Sequence, residues 1–316
     1  MTTTSSTTSA TSPAAPRAAA SGTWTLGGDL TVRRVGFGAM RLPQHGAALV
    51  ENAVPMDRDR AISVLRRAVE LGVNHIDTAA FYFSPLRSAN ELINSALGGP
   101  YPDDLVIATK VGPARDLSGA WSEHARTPAA LRAQVEENLR QLGRDRLDVV
   151  NLRVLGTDSI AERFGALADL RQAGLIRHLG LSNITPTQLT EARTIAPVVC
   201  VQNMYGIGVR PEYDAFVRHC GEQGIAFVPF YAIAAAGRET GAVAAENDTV
   251  LAVAEAHGAS PAQVRIAWTL HQGPHLLAIP GTGNPDHLAA NVAAGALSLT
   301  PDELARLDRA HRETAA

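Results

Sequence analysis

Asp77, Tyr82 and Lys110 are the side chains in this sequence best placed to do chemistry together. Lys110 is the single lysine among 28 basic residues, all the others being arginine, and it ends the apolar run Leu105-Val106-Ile107-Ala108-Thr109. A guanidinium is a wide fork that stays charged, whereas an ammonium is a compact charge on a thin stem. A small cation beside a titrating group is therefore a task for lysine. A phenol titrates near about 10, and an ammonium close by favours the phenolate, drawing that value toward a range useful for proton transfer. The ammonium needs a carboxylate in turn, because an unpaired buried charge is strongly unfavourable. Asp77, at the end of another apolar run, supplies one, and Tyr82 follows five residues later. The set reads as a proton donor with the groups that tune it.

Such a set needs a frame. Strand-like runs occur at 35–38, 74–77, 105–110, 147–152, 176–182, 198–203, 226–230 and 276–279. Amphipathic helical stretches lie between them. Residues 58–71 carry Ile62, Leu65, Val69 and Leu71 at near-helical spacing, and 128–142 carry Leu131, Val135, Leu139 and Leu142. Thr127-Pro128 and Asn284-Pro285 are helix starts, and Leu71-Gly72 is a stop. Parallel strands need long crossovers, so eight strands alternating with helices predict an α/β chain folded as a (β/α)8 TIM barrel. Ahead of it, 23–26 and 30–35 flank Gly27-Gly28-Asp29, predicting a hairpin that caps the barrel floor. A doubly wound dinucleotide fold is the rival. Its glycine fingerprint is missing: Gly36-Phe37-Gly38-Ala39-Met40-Arg41 lacks the third glycine.

On such a barrel the chemistry sits where strands end. There the sequence offers Asp77, Lys110, Arg153, Ser182, Asn183, Gln202, Phe230, Gly281 and Thr282, polar or ring-bearing groups that tip otherwise apolar strands. His75 lies two residues before Asp77, and a packed, hydrogen-bonded histidine is the expectation there; His178 reads the same way. None of the ten histidines shows metal-ligand spacing, so no metal is expected.

Composition narrows the class further. Apolar content of 46%, charged content of 19% and a net charge of −3 describe an ordinary globule with no footprint for nucleic acid or an anionic membrane. No apolar stretch reaches the roughly 18 residues a bilayer span needs. Two cysteines, Cys200 and Cys220, make no disulfide framework and read as reduced, buried side chains of a cytoplasmic protein. Residues 1–22 are rich in Thr, Ser, Ala and Pro with Arg17 the only charge, the composition of a disordered tail; 23–316 read as one domain.

With these residues assembled, the chain resembles the aldo-keto reductases from the hairpin to about residue 310. The likeness rests on Gly36-Phe37-Gly38-Ala39-Met40, His75-Ile76-Asp77-Thr78-Ala79 with Tyr82, Ala108-Thr109-Lys110, 147–152, Gly180-Leu181-Ser182-Asn183, Val201-Gln202-Asn203 with Tyr205, and Ile279-Pro280-Gly281-Thr282 with His287 and Asn291. Residues 149–153 and 226–230 resemble the bacterial branch that includes pyridoxal reductases (pyridoxine 4-dehydrogenases). The resemblance implies hydride transfer from NADPH to an aldehyde or ketone, with Tyr82 giving the proton and Lys110 and Asp77 setting its pKa. It further implies that Ser182, Asn183 and Gln202 hold the carboxamide and that Phe230 lies against the nicotinamide. Gly281, Thr282, His287 and Asn291 would meet the dinucleotide's far end. A monomer is the family habit.

The departures are specific. Arg153 stands where many members carry His; it can hold a carbonyl oxygen or add positive potential, or else turn away to pair with a local carboxylate. Gly281 and His287 replace the Lys and Arg that often clamp the 2′-phosphate, and Ala290 replaces an acid near the adenine, so NAD(H) is the alternative to NADP(H). Phe83 follows Tyr82 in place of Gly, Gly206 replaces Asn and Gly283 replaces Ser, while Tyr231-Ala232-Ile233-Ala234-Ala235-Ala236 replaces a Pro-Leu-Gly stretch. Phe83, Trp121 and Tyr231 are candidates for the substrate wall. These changes point to a pathway-specific carbonyl compound rather than pyridoxal. Two other readings stay open: a cofactor-binding regulatory or sensor subunit, and a non-redox enzyme on the same barrel.

Overall fold

A hairpin of β1 (Thr23–Leu26) and β2 (Leu30–Arg33) leads into the barrel. The computed structural model describes residues 17–313 apart from 47, 52, 117, 119, 123–124 and 234–245. The parallel strands follow in chain order as β3 (Phe37–Gly38), β4 (His75–Asp77), β7 (Val106–Val111), β10 (Leu147–Arg153), β11 (Ile176–Ser182), β12 (Val198–Gln202) and β13 (Ala226–Phe227), and each pairs with the next. Residues 276–279 close the ring. On one side the Phe227 N–H donates to the His275 carbonyl and the Leu277 N–H to the Phe227 carbonyl, while on the other Ala278 exchanges 2.8 Å hydrogen bonds with Arg34 and Gly36. The predicted eight-stranded (β/α)8 barrel is thus complete. Two small antiparallel pairs decorate its mouth, β5 (Phe83–Ser84) with β6 (Arg87–Ser88) and β8 (Ala114–Arg115) with β9 (Trp121–Ser122).

The helices start and stop where side chains can serve their open ends. In α1 (Arg58–Glu70), Asp57 accepts from the Arg60 N–H, and the helix buries Ala61, Ile62, Val64, Leu65 and Ala68 against the strands. Between β6 and β7 lies α2 (Ala89–Leu97). The cap of α3 (Pro128–Leu142) is Thr127, and Gly143 ends it in the left-handed region. Such caps contribute about 1 kcal/mol each. Around the barrel follow α4 (Ala161–Gln172), α5 (Pro186–Arg193), α6 (Asp214–Glu222), α7 (Asp248–Ala256), α8 (Pro261–His271), α9 (Pro285–Ala293) and α10 (Pro301–Glu313). No helix among the described residues is long and apolar enough to cross a membrane.

The hairpin does plug the floor. Leu26, Leu30 and Val32 are buried with Val106, Val149, Val199, Val228 and Leu277 from the strands around them. Each such side chain stabilises by about 1.5–3 kcal/mol when fully buried. The turn is pinned by Asp29, whose carboxylate takes hydrogen bonds from Arg177 (2.7 Å) and His178 (2.6 Å). Residues 1–16 lie outside the described residues, but 17–22, which composition places in the tail, pack on the body. Ala18 is buried and donates to Leu71 O at 2.9 Å, and Ser21 accepts from the Val35 N–H.

Candidate active site

Because β-strand side chains alternate, the last residue of each strand can turn inward at the mouth. Asp77 ends β4, Lys110 is the penultimate residue of β7, and Arg153, Ser182 and Gln202 end β10, β11 and β12. The structure brings these five to one rim. Lys110 Nζ donates to Asp77 Oδ1 at 2.5 Å and to the Thr78 carbonyl at 2.9 Å, in a setting where both side chains are almost wholly buried. Gln202 Nε2 donates to Asp77 Oδ2 at 2.7 Å. Burial opposes the Lys110 charge, but Asp77 outweighs it with help from Tyr82, and the ammonium is held above its ordinary value.

Tyr82 lies over this pair, with Lys110 Nζ 4.8 Å from its ring centroid. The expectation that Lys110 lowers its pKa is only half realised. Burial pushes the phenol up most strongly; Lys110 and Arg153 pull it down, Asp77 pushes it up, and the net direction is upward. The phenol is therefore protonated at neutral pH, the state a proton donor requires. Arg153 does not turn away to a carboxylate. Its Nη1 donates to Ser182 Oγ at 3.1 Å, and its guanidinium sits 4.7 Å from the Phe230 ring centroid.

Other predicted residues find more mixed places. Asn183 adopts the left-handed region (φ 59°) and spends Nδ2 on the Val154 carbonyl, leaving Oδ1 for a ligand. Gln202 gives one amide N–H to Asp77, while its Oε1 accepts from Ser182 Oγ at 3.5 Å. Gly281 answers to packing: a Cβ there would meet Gly38 O at 2.4 Å where the first and last strands converge. Thr282 Oγ1 accepts from the Asn284 N–H, and Asn284 caps α9. His287 is exposed on the first turn of α9, beside an acid, Asp286. Asn291 is buried and has no side-chain partner among the described residues.

At the rim, Arg115 lies 4.7 Å from the Phe83 ring centroid and 5.4 Å from that of Trp121, and it bonds the carbonyls of Val50, Phe81 and Phe83. Trp121 is about half exposed at 52%. Tyr231 holds a left-handed backbone (φ 68°) with its ring 5.3 Å from Phe230. Ala234, Ala235 and Ala236, singled out in the sequence, lie outside the described residues.

A family model described as the aldo/keto reductase family matches residues 34–312. The chain belongs to the aldo-keto reductase family. It is 45% identical over 300 residues to pyridoxine 4-dehydrogenase of Escherichia coli K12, covering 93% of this chain and 99% of that protein. An uncharacterised oxidoreductase of Schizosaccharomyces pombe is 36% identical over 89% of this chain and 87% of its own length. Among solved structures, an aldo/keto reductase from Klebsiella pneumoniae in complex with NADP and acetate superposes with a TM-score of 0.72. It is 27% identical, covering 91% of this chain and 94% of its own.

Several groups that shape this aldo-keto reductase's site were not read from its sequence. The Thr78 carbonyl, which shares Lys110 Nζ, is held by a buried network in which Thr78 Oγ1 donates to Asn90 Oδ1 and Asn90 Nδ2 donates to Asn138 Oδ1. Thr109, next to Lys110, also donates to Asn138 Oδ1. Asn90 and Asn138 sit on helix faces that periodicity marks as apolar, and an Asn there was the available signal. Arg60, on α1, donates Nε to the Gly283 carbonyl at 2.9 Å beside the start of α9. No spacing connects positions 223 residues apart. His75 also departs from expectation. It is packed, but neither ring nitrogen has a hydrogen-bond partner. Burial drives its pKa down to about 4.

Proposed function

We propose that this oxidoreductase reduces an aldehyde or ketone using NADPH, with Tyr82 as the proton donor. The observation that carries the reading is the buried Gln202–Asp77–Lys110 chain ending at the Tyr82 ring. A structural ion pair alone would have no reason to end on a protonated phenol at the barrel mouth.

The residues present fit a nicotinamide dinucleotide. Asn183 Oδ1 and Gln202 Oε1 remain to accept from a carboxamide, Phe230 offers a ring face steadied by Arg153, and Asn291 is a buried amide awaiting a partner toward the adenine end. When bound, the cofactor supplies the hydride. The protein's own part is to hold the carbonyl carbon near that position and the carbonyl oxygen near Tyr82 Oη and Arg153. Arg153 donates hydrogen bonds to the oxygen as negative charge builds there. Tyr82 gives its proton to that oxygen, and Lys110, fixed by Asp77 and Thr78, stabilises the phenolate left behind. The NADP complex of the Klebsiella neighbour supports NADP(H) over NAD(H).

Fluorescence titration with NADPH and NADH, followed by a carbonyl panel that includes pyridoxal, tests this reading. NADPH should bind more tightly and be consumed with at least one carbonyl. The altered Phe83, Gly206 and Tyr231 positions favour a substrate other than pyridoxal. The E. coli relative makes pyridoxal the necessary comparison, and efficient turnover of pyridoxal alone would replace the broader proposal. A regulatory subunit has no use for the tuned phenol, and consumption of NADPH would exclude it.

A further inference from the structure

Helix α3 carries a polar stripe along the side it turns to the rest of the barrel. Gln134, Asn138 and Gln141 recur at helical spacing beside the buried Leu131, Val135 and Leu142. All three reach either the strand of Lys110 or the helix that follows Tyr82. Gln134 Oε1 accepts from the Gly112 N–H at 2.7 Å and its Nε2 donates to the Pro113 carbonyl at 3.1 Å, just beyond β7. Gln141 Oε1 accepts from Ser88 Oγ at 3.1 Å and from Asn90 Nδ2 at 3.0 Å, at the start of α2. Asn138 is fully buried and serves both elements at once. Its Oδ1 accepts from Thr109 Oγ1 at 2.5 Å and from Asn90 Nδ2 at 2.9 Å, while its Nδ2 donates to the Gln134 carbonyl at 2.8 Å.

The two arms of this hub end on the two halves of the proton-transfer pair. One runs through Thr109 to Lys110, the next residue of β7. The other runs through Asn90, which accepts from Thr78 Oγ1 at 2.7 Å and follows Ala89, whose N–H donates to the Tyr82 carbonyl at 2.8 Å. Thr78 in turn offers its own carbonyl to Lys110 Nζ. Strand pairing registers Asp77 against Ala108 and stops there, so the loop from Thr78 to Ser88 needs other support. Arg115 holds one part of it through the Phe81 and Phe83 carbonyls, and the Asn138 network holds its two ends. A buried polar network with its members engaged in this way is rigid. We propose that Asn138 is a positioning residue, the shared hub through which α3 sets the placement of Tyr82 over Lys110. This rests on the reading of Tyr82 as proton donor and names what keeps it in register.

Lys110 is the single lysine, so 15N-lysine labelling gives one side-chain signal in the whole enzyme. In Asn138→Leu the Nζ protons should exchange with water about tenfold faster, the scale of one lost hydrogen bond. Single-turnover carbonyl reduction by NADPH should slow by about tenfold to a hundredfold, the cost of a misplacement of up to about 1 Å. NADPH affinity and KM should stay within about twofold, since no ligand contact is lost. Asn138→Asp keeps the shared acceptor oxygen and should retain most of both signals. Thr109→Val cuts one arm, keeps the side-chain shape and carries the test should Asn138→Leu not fold; both changes should appear there at smaller size. Val135→Ala empties a buried apolar position on the same helix and should lower Tm while moving neither signal. Changes in Val135→Ala as large as those in the network variants, at matched loss of Tm, would overturn the proposal. So would slower turnover with Nζ exchange unchanged, because the effect would not pass through Lys110, and so would a loss confined to Tm. Faster Nζ exchange in Asn138→Leu, with no carbonyl turned over even by the wild type, would uphold the hub and contradict the reductase reading beneath it.

Discussion

Gln202 Nε2 lies 2.7 Å from Asp77 Oδ2, across the barrel from the strand that carries the carboxylate. With Lys110 on the other oxygen, this contact fixes the Asp77 carboxylate from two sides in a site with almost no water access. It also narrows what Gln202 can do, because one amide N–H is spent on Asp77 and Oε1 is what is left to meet a cofactor. Gln202 is a positioning residue first.

Replacing Gln202 by Leu should therefore leave Asp77 Oδ2 buried without a donor. The expected loss of stability is about 1–3 kcal/mol, measured by urea unfolding. Gln202→Glu should cost more, since it places a second carboxylate against the first. A cofactor contact alone would instead weaken NADPH binding and leave stability untouched.

Lys110→Met removes the group that favours the Tyr82 phenolate. Alcohol oxidation, the reverse reaction, needs the deprotonated phenol, so its rate rises with pH through the Tyr82 pKa. Losing Lys110 raises that pKa further, and the rising limb should move to more alkaline pH. The same variant leaves Asp77 buried and unpaired, a loss of about 3–5 kcal/mol for a broken buried pair. Thermal unfolding alongside the pH–rate profile separates the two effects.

His75 makes stability depend on pH in a definite window. Its ring is neutral in the fold down to about 4, whereas an unfolded histidine takes a proton near 6.5. Between those values the unfolded chain binds more protons, so stability falls as pH drops from about 6.5 to 4. The full loss is about 3 kcal/mol at 1.36 kcal/mol per pH unit. His75→Leu should flatten that slope in denaturant titrations. Gly36→Ala should destabilise at every pH, because its Cβ would lie 2.2 Å from the His75 ring.

The frame was more legible than the contacts. Alternating strand and helix patterns located all eight strands, because burial on both faces forces continuous apolar runs and crossovers force helices between them. The strand ends then named Asp77, Lys110, Arg153, Ser182 and Gln202 as neighbours, since parallel strands finish at one rim. What periodicity could not carry was which atom meets which. That Gln202 serves Asp77, that Asn90 and Asn138 brace Thr78 and Thr109, and that Arg115 ties Val50 to Phe83 depend on rotamers and on loops of irregular path. The net upward direction of the Tyr82 pKa was hidden for a related reason. Charge neighbours can be guessed from residue types, but the depth of burial that outweighs them cannot.

Tyr82→Phe tests the central claim most directly, since it deletes one hydroxyl and keeps the ring above Lys110. NADPH titration should give an affinity within about twofold of the wild type, while single-turnover reduction of the best carbonyl slows by about 10²–10⁴-fold, the usual contribution of a positioned general acid. Unchanged single-turnover reduction in Tyr82→Phe would contradict the account and move the proton donor elsewhere.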